Sequence, residues 1–419
     1  MNVSPLYLRD AARIDPHGGA ILRGNFLVER GAGGELHPTA AIPDPAEVLD
    51  CHGGLVTRAF AVAHHHIYSA LARGMPSPQP PPSNFREILE RVWWRLDRAL
   101  DADVICACAQ VTAVDLLKAG ATFVIDHHSS PHAAAGSLDL IAQTLDSAGV
   151  GHLLCLELSD RDGPAALAAG LHESERFAAT RKALIGLHAS FTVSDALLAQ
   201  AVALAKNFNT GVHIHVAEAE ADQDETLARH GRRVVHRLAE AGALDLPHTL
   251  LAHCLHLDAS ERAAIAASRA WVVQNPESNR HNNVGTFDAR GLGERILLGT
   301  DGMHSDMLAS LRAAYFDGQT TGGLAPRAAW QRLQRVDDYL AQLGVFRDND
   351  LVVLDYDAPT PVTAHNLEGH AVYGFGQQHV RHVVAQGRVV VENREVRTLD
   401  EAKIRANARL QAARLWRAM

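Results

Sequence analysis

The stretch LVTRAFAVAHHH, residues 55–66, decides how the rest of the chain is interpreted. Residues 55–63 form an apolar run that is typical of a buried strand, and three consecutive histidines follow it. Alternate residues of a strand point to the same side, so His64 and His66 face one point and His65 faces away. Two imidazoles directed at one point supply half of a divalent metal site, which predicts further ligands elsewhere in the chain.

The composition is typical of a soluble globular protein. Of 419 residues, 47% are hydrophobic and 21% are charged, and 39 Lys and Arg against 48 Asp and Glu give a net charge of −9. The absence of a basic tail or stripe argues against a nucleic acid or a membrane surface as partner and favours a small molecule. Five scattered cysteines, no signal-peptide pattern and no apolar run of ~18–20 residues predict a cytoplasmic protein.

Apolar runs and helical stretches alternate from about residue 54 to 345, which is typical of a (β/α)8 TIM-like barrel of the α/β class. The predicted barrel strands are Leu55–Ala63, Thr122–Ile125, Gly151–Leu156, Ala183–His188, Gly211–His215, Thr249–Ala252, Ala270–Gln274 and Ile296–Leu298. Short strand-like pieces predict a small β-sandwich domain built from residues 1–53 and 350–396, around a barrel of residues 54–349. Residues 397–419 are predicted to form a helix that packs back on the body of the protein.

A long insertion follows the first predicted strand. Residues 76–82, PSPQPPP, form a stiff linker, and a helix carrying Trp93 and Trp94 follows within residues 76–101. A long excursion from the end of a barrel strand can act as a lid or a pocket wall. A surface helix that packs its tryptophan pair on the barrel is an equal alternative, and the sequence leaves both open.

Polar side chains follow three later strands at the point where each strand ends. His215 and Glu218 come at the end of the fifth strand, His253 after the sixth and Asp301 after the eighth. Such strand ends meet at one face of a (β/α)8 barrel, so these side chains can converge with the histidine pair. Each of these short motifs alone is common in proteins. Because all of them follow the ends of predicted barrel strands, together they predict a metal-dependent hydrolytic site.

Longer motifs around these residues resemble the amidohydrolase superfamily. They are HHHIYSALARGM (64–75), WWRLDRALD (93–101), IDHHSSP (125–131), GLHASFT (186–192), HIHVAE (213–218), NPESN (275–279) and residues 299–307. The similarity runs from about residue 50 to the C-terminus. It is closest to SsnA-type aminohydrolases within the cytosine-deaminase-like branch, which contains hydrolytic deaminases and chlorohydrolases.

The resemblance implies a role for each matching residue. The implied ligands of one divalent metal ion are His64, His66, His215 and Asp301. Glu218 would shuttle protons, His253 would orient or polarise the attacked group, and Asp301 would help to take a proton from water. Arg58-Ala59 stands where the superfamily usually has Pro-Gly, and residues 320–335 lack the Asn-Gly-Ala motif of this branch. These departures touch no ligand but weaken the analogy to any one substrate.

One metal ion is predicted rather than two. Binuclear relatives bridge two metals with a carboxylated lysine from the fourth strand, but Ala183–His188 contains no lysine, and Lys182 lies at the wrong end of that strand. Three nitrogen donors and one oxygen donor suit Zn²⁺. Fe²⁺ and Mn²⁺ stay open because ligand type alone selects weakly between these metals.

The leading predicted function is a hydrolytic deaminase that releases ammonia from a nitrogen heterocycle such as a purine, pyrimidine, pterin or triazine. Hydrolysis of another C–N bond or of a C–Cl bond, as in a cyclic amidohydrolase or a chlorohydrolase, stays open as the alternative. A non-catalytic binding protein on the same scaffold is a further possibility, against which the presence of Glu218 beside all four ligands argues. The resemblance also implies a homodimer or a higher homo-oligomer.

Six side chains are predicted to line the substrate pocket, because they lie at strand ends, in the adjoining loops or in the insertion. They are Tyr68, Trp93, His128, His188, Asn279 and His304. His65, on the other face of its strand, is expected to pack beneath the surrounding helices.

Overall fold

The structure, a computed structural model, describes residues 4–15 and 20–419 and arranges them in two β-sheets with helices around them. The strands in chain order are β1 Leu6–Ile14, β2 Ile21–Val28, β3 Leu36–Pro38, β4 Glu47–Asp50, β5 Leu55–Arg58, β6 Phe60–His65, β7 Ala121–His128, β8 Gly151–Leu158, β9 Ile185–Ala189, β10 Val212–Val216, β11 Leu250–His253, β12 Trp271–Gln274, β13 Ile296–Leu298, β14 Leu351–Leu354, β15 Val380–Ala385, β16 Arg388–Glu392 and β17 Glu395–Val396. The predicted combination of a parallel barrel and a small β domain built from both ends of the chain is confirmed.

Strands β6 to β13 form the barrel, each parallel to the next in sequence order. Main-chain hydrogen bonds join the last strand back to the first. The amides of Thr300 and Asp301 both donate to the carbonyl of His64 at 3.1 Å, and the amide of His66 donates to the carbonyl of Asp301 at 3.4 Å. The carboxyl ends of all eight strands therefore surround one mouth.

The other nine strands are hydrogen-bonded into one mixed sheet, where a sandwich was expected. Their order is β17-β16-β15-β14-β5-β1-β2-β3, with β4 beside β1. Most of β1, β14 and β15 is buried, and leucine and valine side chains from these strands form a separate core on this sheet.

Residues 55–63 are two strands, so the prediction of a single strand was wrong. Strand β5 pairs antiparallel with β14 in the mixed sheet, whereas β6 pairs parallel with β7 in the barrel. The chain changes sheets at Ala59, where Arg347 Nη2 donates to the carbonyls of Ala59 and Phe60 at 2.9 and 3.0 Å. Both halves are apolar, so the sequence pattern does not reveal the break, and the mixed sheet extends past residue 53 to Arg58.

Helices cover the outside of the barrel. They are α1 Phe85–Ile88, α2 Trp94–Ala99, α3 Ala102–Lys118, α4 Ser137–Ala148, α5 Gly163–Ala178, α6 Asp195–Asn207, α7 Glu220–His230, α8 Val234–Glu240, α9 Ala259–Ala267, α10 Pro276–His281, α11 Met307–Thr320, α12 Pro326–Gln334, α13 Val336–Gln342, α14 Leu367–Tyr373 and α15 Glu401–Ala418. One turn of π-helix, Leu89–Trp93, joins α1 to α2. Helix α15 packs on α3, and its Trp416 donates to the carbonyl of Leu71 at 2.8 Å. Among the described helices, none combines the length and the apolar character that a membrane span requires.

The inside of the barrel is filled with apolar side chains below the strand ends. They include Ala63, Ile125, Leu153, Cys155, Leu250, Val273 and Leu297. Tyr339 from α13 packs among them, fully buried, and its hydroxyl donates to the carbonyl of His248 at 2.9 Å. The barrel is thus a packed core, and its polar side chains emerge above an apolar floor.

Arg347 links the two sheets through a buried network. Its guanidinium donates to Asp337 at 2.7 Å, to Asp350 at 3.2 Å and to the Thr122 hydroxyl at 2.8 Å, besides the two carbonyls at the sheet change, and its side chain is 4% exposed. Removing one partner of a buried ion pair leaves an uncompensated charge, which typically costs about 3–5 kcal/mol.

We therefore expect Arg347→Met to lower the free energy of unfolding by roughly 3–5 kcal/mol, measured by urea denaturation. The matched control is Arg290→Met, because Arg290 is 76% exposed and pairs with Asp288 at the surface. Exposed pairs contribute about 0–1 kcal/mol, so this control should unfold close to the wild type. Equal midpoints for both variants would contradict a linking role for Arg347.

Candidate active site

Six polar side chains meet at the carboxyl end of the barrel. They are His64 and His66 from β6 and its end, His215 from β10, Glu218 just after β10, His253 at the end of β11 and Asp301 just after β13. The backbone is left-handed at three of these strand ends, with φ of +46° at Ala217, +71° at His253 and +52° at Asp301. Non-glycine residues adopt this conformation uncommonly, and such strain is typical of positions where a side chain must be aimed.

Donor atoms of His64, His66, His215 and Asp301 lie close together at this end of the barrel. His66 Nε2 lies 2.9 Å from Asp301 Oδ1 and 3.2 Å from His215 Nε2, and His64 Nε2 lies 3.5 Å from Asp301 Oδ1. Around a tetrahedral ion with metal–nitrogen distances of about 2.0–2.1 Å, ligand atoms lie about 3.3 Å apart. His64 Nε2 is also buried without a hydrogen-bond partner among the described residues. Buried histidine nitrogens and a carboxylate oxygen at such distances suit a divalent metal ion.

Main-chain carbonyls orient two of the imidazoles. His66 Nδ1 donates to the carbonyl of His127, and His215 Nδ1 donates to the carbonyl of His188, both at 2.7 Å. A proton held on Nδ1 leaves the lone pair on Nε2, which is the nitrogen that faces the centre. The barrel backbone therefore selects the ring tautomer that binds a metal.

His64 is oriented by another buried histidine. His64 Nδ1 lies 2.8 Å from Nε2 of His213, which belongs to β10 and is fully buried. When His64 Nδ1 donates its proton to His213, Nε2 of His64 offers its lone pair to the centre. His213 was not predicted as a site residue, although it is the first histidine of the HIHVAE motif.

Electrostatics also favour a cation at this point. Burial lowers the pKa of His64 to about 4, which keeps its imidazole neutral, and Asp301 only partly offsets this effect. Burial also lowers the pKa of His66, but the facing Asp301 carboxylate outweighs burial and brings this pKa up to about 9. Burial raises the pKa of Asp301, yet the His66 imidazole more than offsets it and holds that carboxyl well below its usual range. A bound cation would take the place of the His66 proton beside an ionised Asp301.

Glu218 and His253 stand beside this centre. His253 Nε2 lies 3.6 Å from Glu218 Oε2 and 3.8 Å from Asp301 Oδ2, and it is buried without a hydrogen-bond partner among the described residues. Its Nδ1 donates to Asn279 Oδ1 at 2.7 Å, and Asn282 donates to Glu218 Oε1 at 3.3 Å. Burial raises the pKa of the Glu218 carboxyl, against the opposing effect of His253, so this group holds a proton at higher pH than an exposed glutamate.

A cavity opens above these side chains, with an empty volume of about 620 Å³ that includes its mouth. Of the predicted pocket residues, Tyr68, Trp93 and His188 line it. Further lining residues include Phe85, Leu89, Trp94, Asp97, Glu157 and Arg161. The insertion of residues 76–101 thus contributes a wall of the cavity rather than only a surface helix.

The structure places the other three predicted pocket residues outside the cavity wall. His128 Nε2 lies 2.9 Å from the Ser130 hydroxyl, and the histidine is fully buried. Asn279 lies outside the cavity wall, where its Oδ1 accepts the hydrogen bond from His253 Nδ1. His304 Nε2 lies 3.3 Å from a carboxylate oxygen of Glu277. Each of these side chains contacts a protein group and takes no part in the wall.

Three charged residues of the cavity wall were not predicted from the sequence. Glu157 lies near the end of β8, so the same strand-end pattern that indicated His188 could have found it. Asp97 comes from α2 in the insertion, and Arg161 lies in the loop between β8 and α5. No spacing in the sequence connects Asp97 to Arg161, because they meet only in the folded chain.

The chain matches known proteins along nearly its whole length. Residues 56–390 match the model of the Amidohydrolase family. A 5-methylthioadenosine/S-adenosylhomocysteine deaminase of Desulforudis audaxviator is 29% identical over 98% of this chain and 99% of that protein. A protein of the same name from Halobacterium salinarum is 29% identical over 95% of this chain and 97% of that protein.

Solved structures share the fold at lower identity. An adenosine deaminase from Xanthomonas campestris with bound zinc has a TM-score of 0.85 at 21% identity, covering 98% of each chain. An atrazine chlorohydrolase from Arthrobacter aurescens complexed with zinc has a TM-score of 0.84 at 16% identity, covering 97% of this chain and 100% of that one. The guanine deaminase of E. coli has a TM-score of 0.78 at 19% identity, covering 93% and 100%.

Metal content should distinguish the three converging histidines from His65, which faces away from them. We expect His64→Ala, His66→Ala and His215→Ala each to lose most of the zinc that the reconstituted wild type binds, because each removes one of four donors. His65→Ala should keep it, since His65 Nε2 faces the Ser305 hydroxyl at 3.2 Å and not the centre. Elemental analysis after dialysis measures the difference, and equal zinc in all four variants would refute the ligand set.

The supporting role of His213 gives a second prediction. Because His213→Leu leaves His64 Nδ1 without its partner, zinc affinity should fall about 10–100-fold, as is typical when a partner of a metal ligand is lost. Competition with a chelator of known affinity measures this change. His172→Leu, an exposed site on α5, is the control and should bind zinc as the wild type does. An unchanged zinc affinity in the His213 variant would show that the His64 ring keeps its orientation without His213.

Proposed function

The chain belongs to the amidohydrolase family, and from this premise we propose that it is a hydrolytic deaminase. It would replace an amino group of a nitrogen heterocycle, such as a purine, pyrimidine, pterin or triazine, by oxygen and release ammonia. The observation that carries this proposal is the position of Glu218. Its carboxyl lies in the cavity wall, 3.6 Å from His253 and next to the cluster of His64, His66, His215 and Asp301.

We propose that one divalent ion, Zn²⁺ in the first place and otherwise Fe²⁺ or Mn²⁺, is held by His64, His66, His215 and Asp301. Distances of 2.9, 3.2 and 3.5 Å among these donor atoms support one ion, and zinc is named in two of the solved relatives. Such an ion acts as a Lewis acid that lowers the pKa of a coordinated water from 15.7 to about 7.

The residues of the chain would manage the protons. Asp301 and His253, whose unpartnered Nε2 faces Asp301 Oδ2, would accept the proton of the attacking water. Glu218 would deliver a proton to a ring nitrogen, which makes the adjacent carbon electrophilic for addition of the water oxygen. Glu218 would then take the proton of the added hydroxyl group and pass it to the amino group, so that the C–N bond breaks, ammonia leaves and an oxo-heterocycle remains. The proton accepted from the water would return to Glu218 and restore the starting state. One water is consumed for each ammonia released.

Two orienting contacts keep these groups in place. The Ser278 hydroxyl donates to Asp301 Oδ2 at 2.5 Å, and Asn279 fixes the His253 ring through Nδ1. Asn279 contacts Nδ1 and thus leaves His253 Nε2 free to exchange a proton. Reactive groups held in one geometry need little reorganisation, which lowers the barrier of the chemical step.

Deamination is favoured over release of chloride. Chloride leaves as a stable anion without a proton, whereas an amino group must be protonated before it can leave as ammonia. A buried carboxyl with a raised pKa beside the reaction centre is the donor that an amine needs. The two curated relatives named above are called deaminases of adenosine derivatives, so aminopurines are the first compounds to test. Tyr68, Trp93 and His188 would contact the ring.

Glu218→Gln tests the proposal directly. The amide cannot carry the proton, so kcat for ammonia release should fall by about 10²–10⁴-fold while zinc content stays unchanged. The assay is ammonia release from aminated purines, pyrimidines, pterins and triazines by the zinc-loaded protein. Glu220→Gln, an exposed carboxylate two residues away, is the matched control and should keep the wild-type rate.

Two results would count against deamination. A Glu218→Gln variant that turns over a confirmed substrate at the wild-type rate would remove Glu218 from the mechanism. Silence of the wild type across the whole panel with zinc bound would move the assignment to another C–N or C–Cl bond.

A further inference from the structure

A second carboxylate faces the cavity from a part of the barrel that the proposed chemistry does not use. Glu157 comes from β8, and its side chain is 3% exposed. Its Oε1 accepts from the Ser129 hydroxyl at 3.2 Å and lies 3.3 Å from Arg161 Nη2. Its Oε2 has no hydrogen bond from any described residue, although it is 3.5 Å from the ring of His127. Glu157 thus holds an unused acceptor in the wall of the cavity.

The carboxyl groups around Glu157 outnumber the guanidinium groups that pair with them. Arg161 Nη2 contacts both Asp97 and Glu157, and Arg161 Nε donates to Asp162 at 2.8 Å. Asp162 has a second partner in Arg98 at 2.6 Å. Three carboxyl groups therefore face two guanidinium groups, and burial raises the pKa of the Glu157 carboxyl to about 7 although Arg161 opposes this effect. Asp97 Oδ1 is buried without a partner among the described residues, as expected for a carboxylate that shares its cation.

His188, the neighbouring side chain on the cavity wall, also offers a hydrogen-bond acceptor, which is its Nε2. The Thr192 hydroxyl donates to the carbonyl of Ala189 at 3.0 Å and therefore accepts from His188 Nδ1 at 2.7 Å. This arrangement leaves the lone pair of His188 on Nε2. A carboxylate oxygen of Glu157 lies within 4.8 Å of a ring nitrogen of His188. The wall beside β8 and β9 thus presents hydrogen-bond acceptors to the cavity.

We propose that Glu157 determines substrate specificity by selecting heterocycles that carry a second exocyclic amino group, whose N–H donates to Oε2. This group is distinct from the amino group that is removed, and the inference rests on the proposed deamination for its chemical context. A hydrogen bond to an ionised carboxylate is roughly twice as strong as one between neutral groups. A heterocycle without the second amino group leaves Oε2 desolvated and unpaired, which a buried site penalises.

The Asp97–Arg161 pair supports this role without contacting the second amino group itself. Arg161 stacks over Trp94, with its guanidinium carbon 5.3 Å from the ring centroid, and is 8% exposed. Arg161 and Ser129 both engage Oε1, so the Glu157 side chain is held in one orientation with Oε2 free. Asp97 and Arg161 are therefore positioning residues, and Glu157 is the group that touches substrate.

Two pairs of compounds isolate the effect of one amino group. They are 2,4-diaminopyrimidine with 4-aminopyrimidine, and 2,6-diaminopurine with adenine. Binding is measured by calorimetry on zinc-loaded Glu218→Gln protein, in which the compounds are not consumed. The diamino member of each pair should bind about 10–100-fold more tightly, as expected for a hydrogen bond to a charged group. Equal affinity within both pairs would overturn the proposal without the use of any Glu157 variant.

Glu157→Gln, added to the same background, tests the residue itself. Replacing one acceptor oxygen by an NH₂ donor should abolish the preference for the diamino member and leave the affinity of the monoamino member within about twofold. Equal loss for both members, or an unchanged preference, would overturn the assignment, because a structural role affects both compounds alike. Glu173→Gln is the matched control: Glu173 is equally buried and pairs with Arg176, but it lies outside the cavity.

Ammonia release by the wild type separates this inference from the proposed function. Ammonia release without a diamino preference in binding rejects the role of Glu157 and keeps the deaminase. The opposite outcome is a diamino preference that Glu157→Gln removes, with no ammonia released from any compound of the panel. It would reject the deaminase and keep Glu157 as the group that selects the ligand.

Discussion

Closure of the barrel by three main-chain hydrogen bonds is the constraint on which the site depends. The carbonyl of His64 accepts from the amides of Thr300 and Asp301, and the amide of His66 donates back to the carbonyl of Asp301. These bonds bring the first and the last barrel strands together, and they set the Asp301 carboxylate beside the two histidines. Gly299 permits the approach, because a Cβ there would lie 2.3 Å from Asn275 Oδ1 and 2.8 Å from the His64 Cβ.

The same backbone also determines what the imidazoles can do. Carbonyls of His127 and His188 hold the protons of His66 and His215 on Nδ1, so the lone pairs face inward. Beneath them the barrel is packed with apolar side chains, and burial keeps His64 neutral. Once a cation displaces the His66 proton, neutral nitrogen donors, one ionised carboxylate and an apolar floor together suit a divalent ion. The wall beyond this centre differs in character, since its carboxyl groups outnumber its cations.

Much of the fold was predictable because its signals are local. Buried strands alternating with helices indicated the barrel, and histidines and acids at strand ends indicated the site. The break at Ala59 was not predictable, since the two apolar halves of residues 55–63 differ only in the partner strands they meet. The supporting role of Asn279 was also hidden, because its partner His253 is 26 residues away and is met only in the folded chain. Asp97 and Arg161 pair across an even longer separation, so their charge balance belongs to tertiary structure alone.

We propose that one ion bound by His64, His66, His215 and Asp301 organises the reaction centre. Diffraction at the zinc absorption edge, from crystals of the zinc-reconstituted protein, tests it most directly. The account predicts one anomalous peak per chain, about 2.0–2.2 Å from Nε2 of each histidine and from a carboxylate oxygen of Asp301. Two peaks about 3.5–4 Å apart, as in binuclear hydrolases, or one peak away from these four atoms would contradict it.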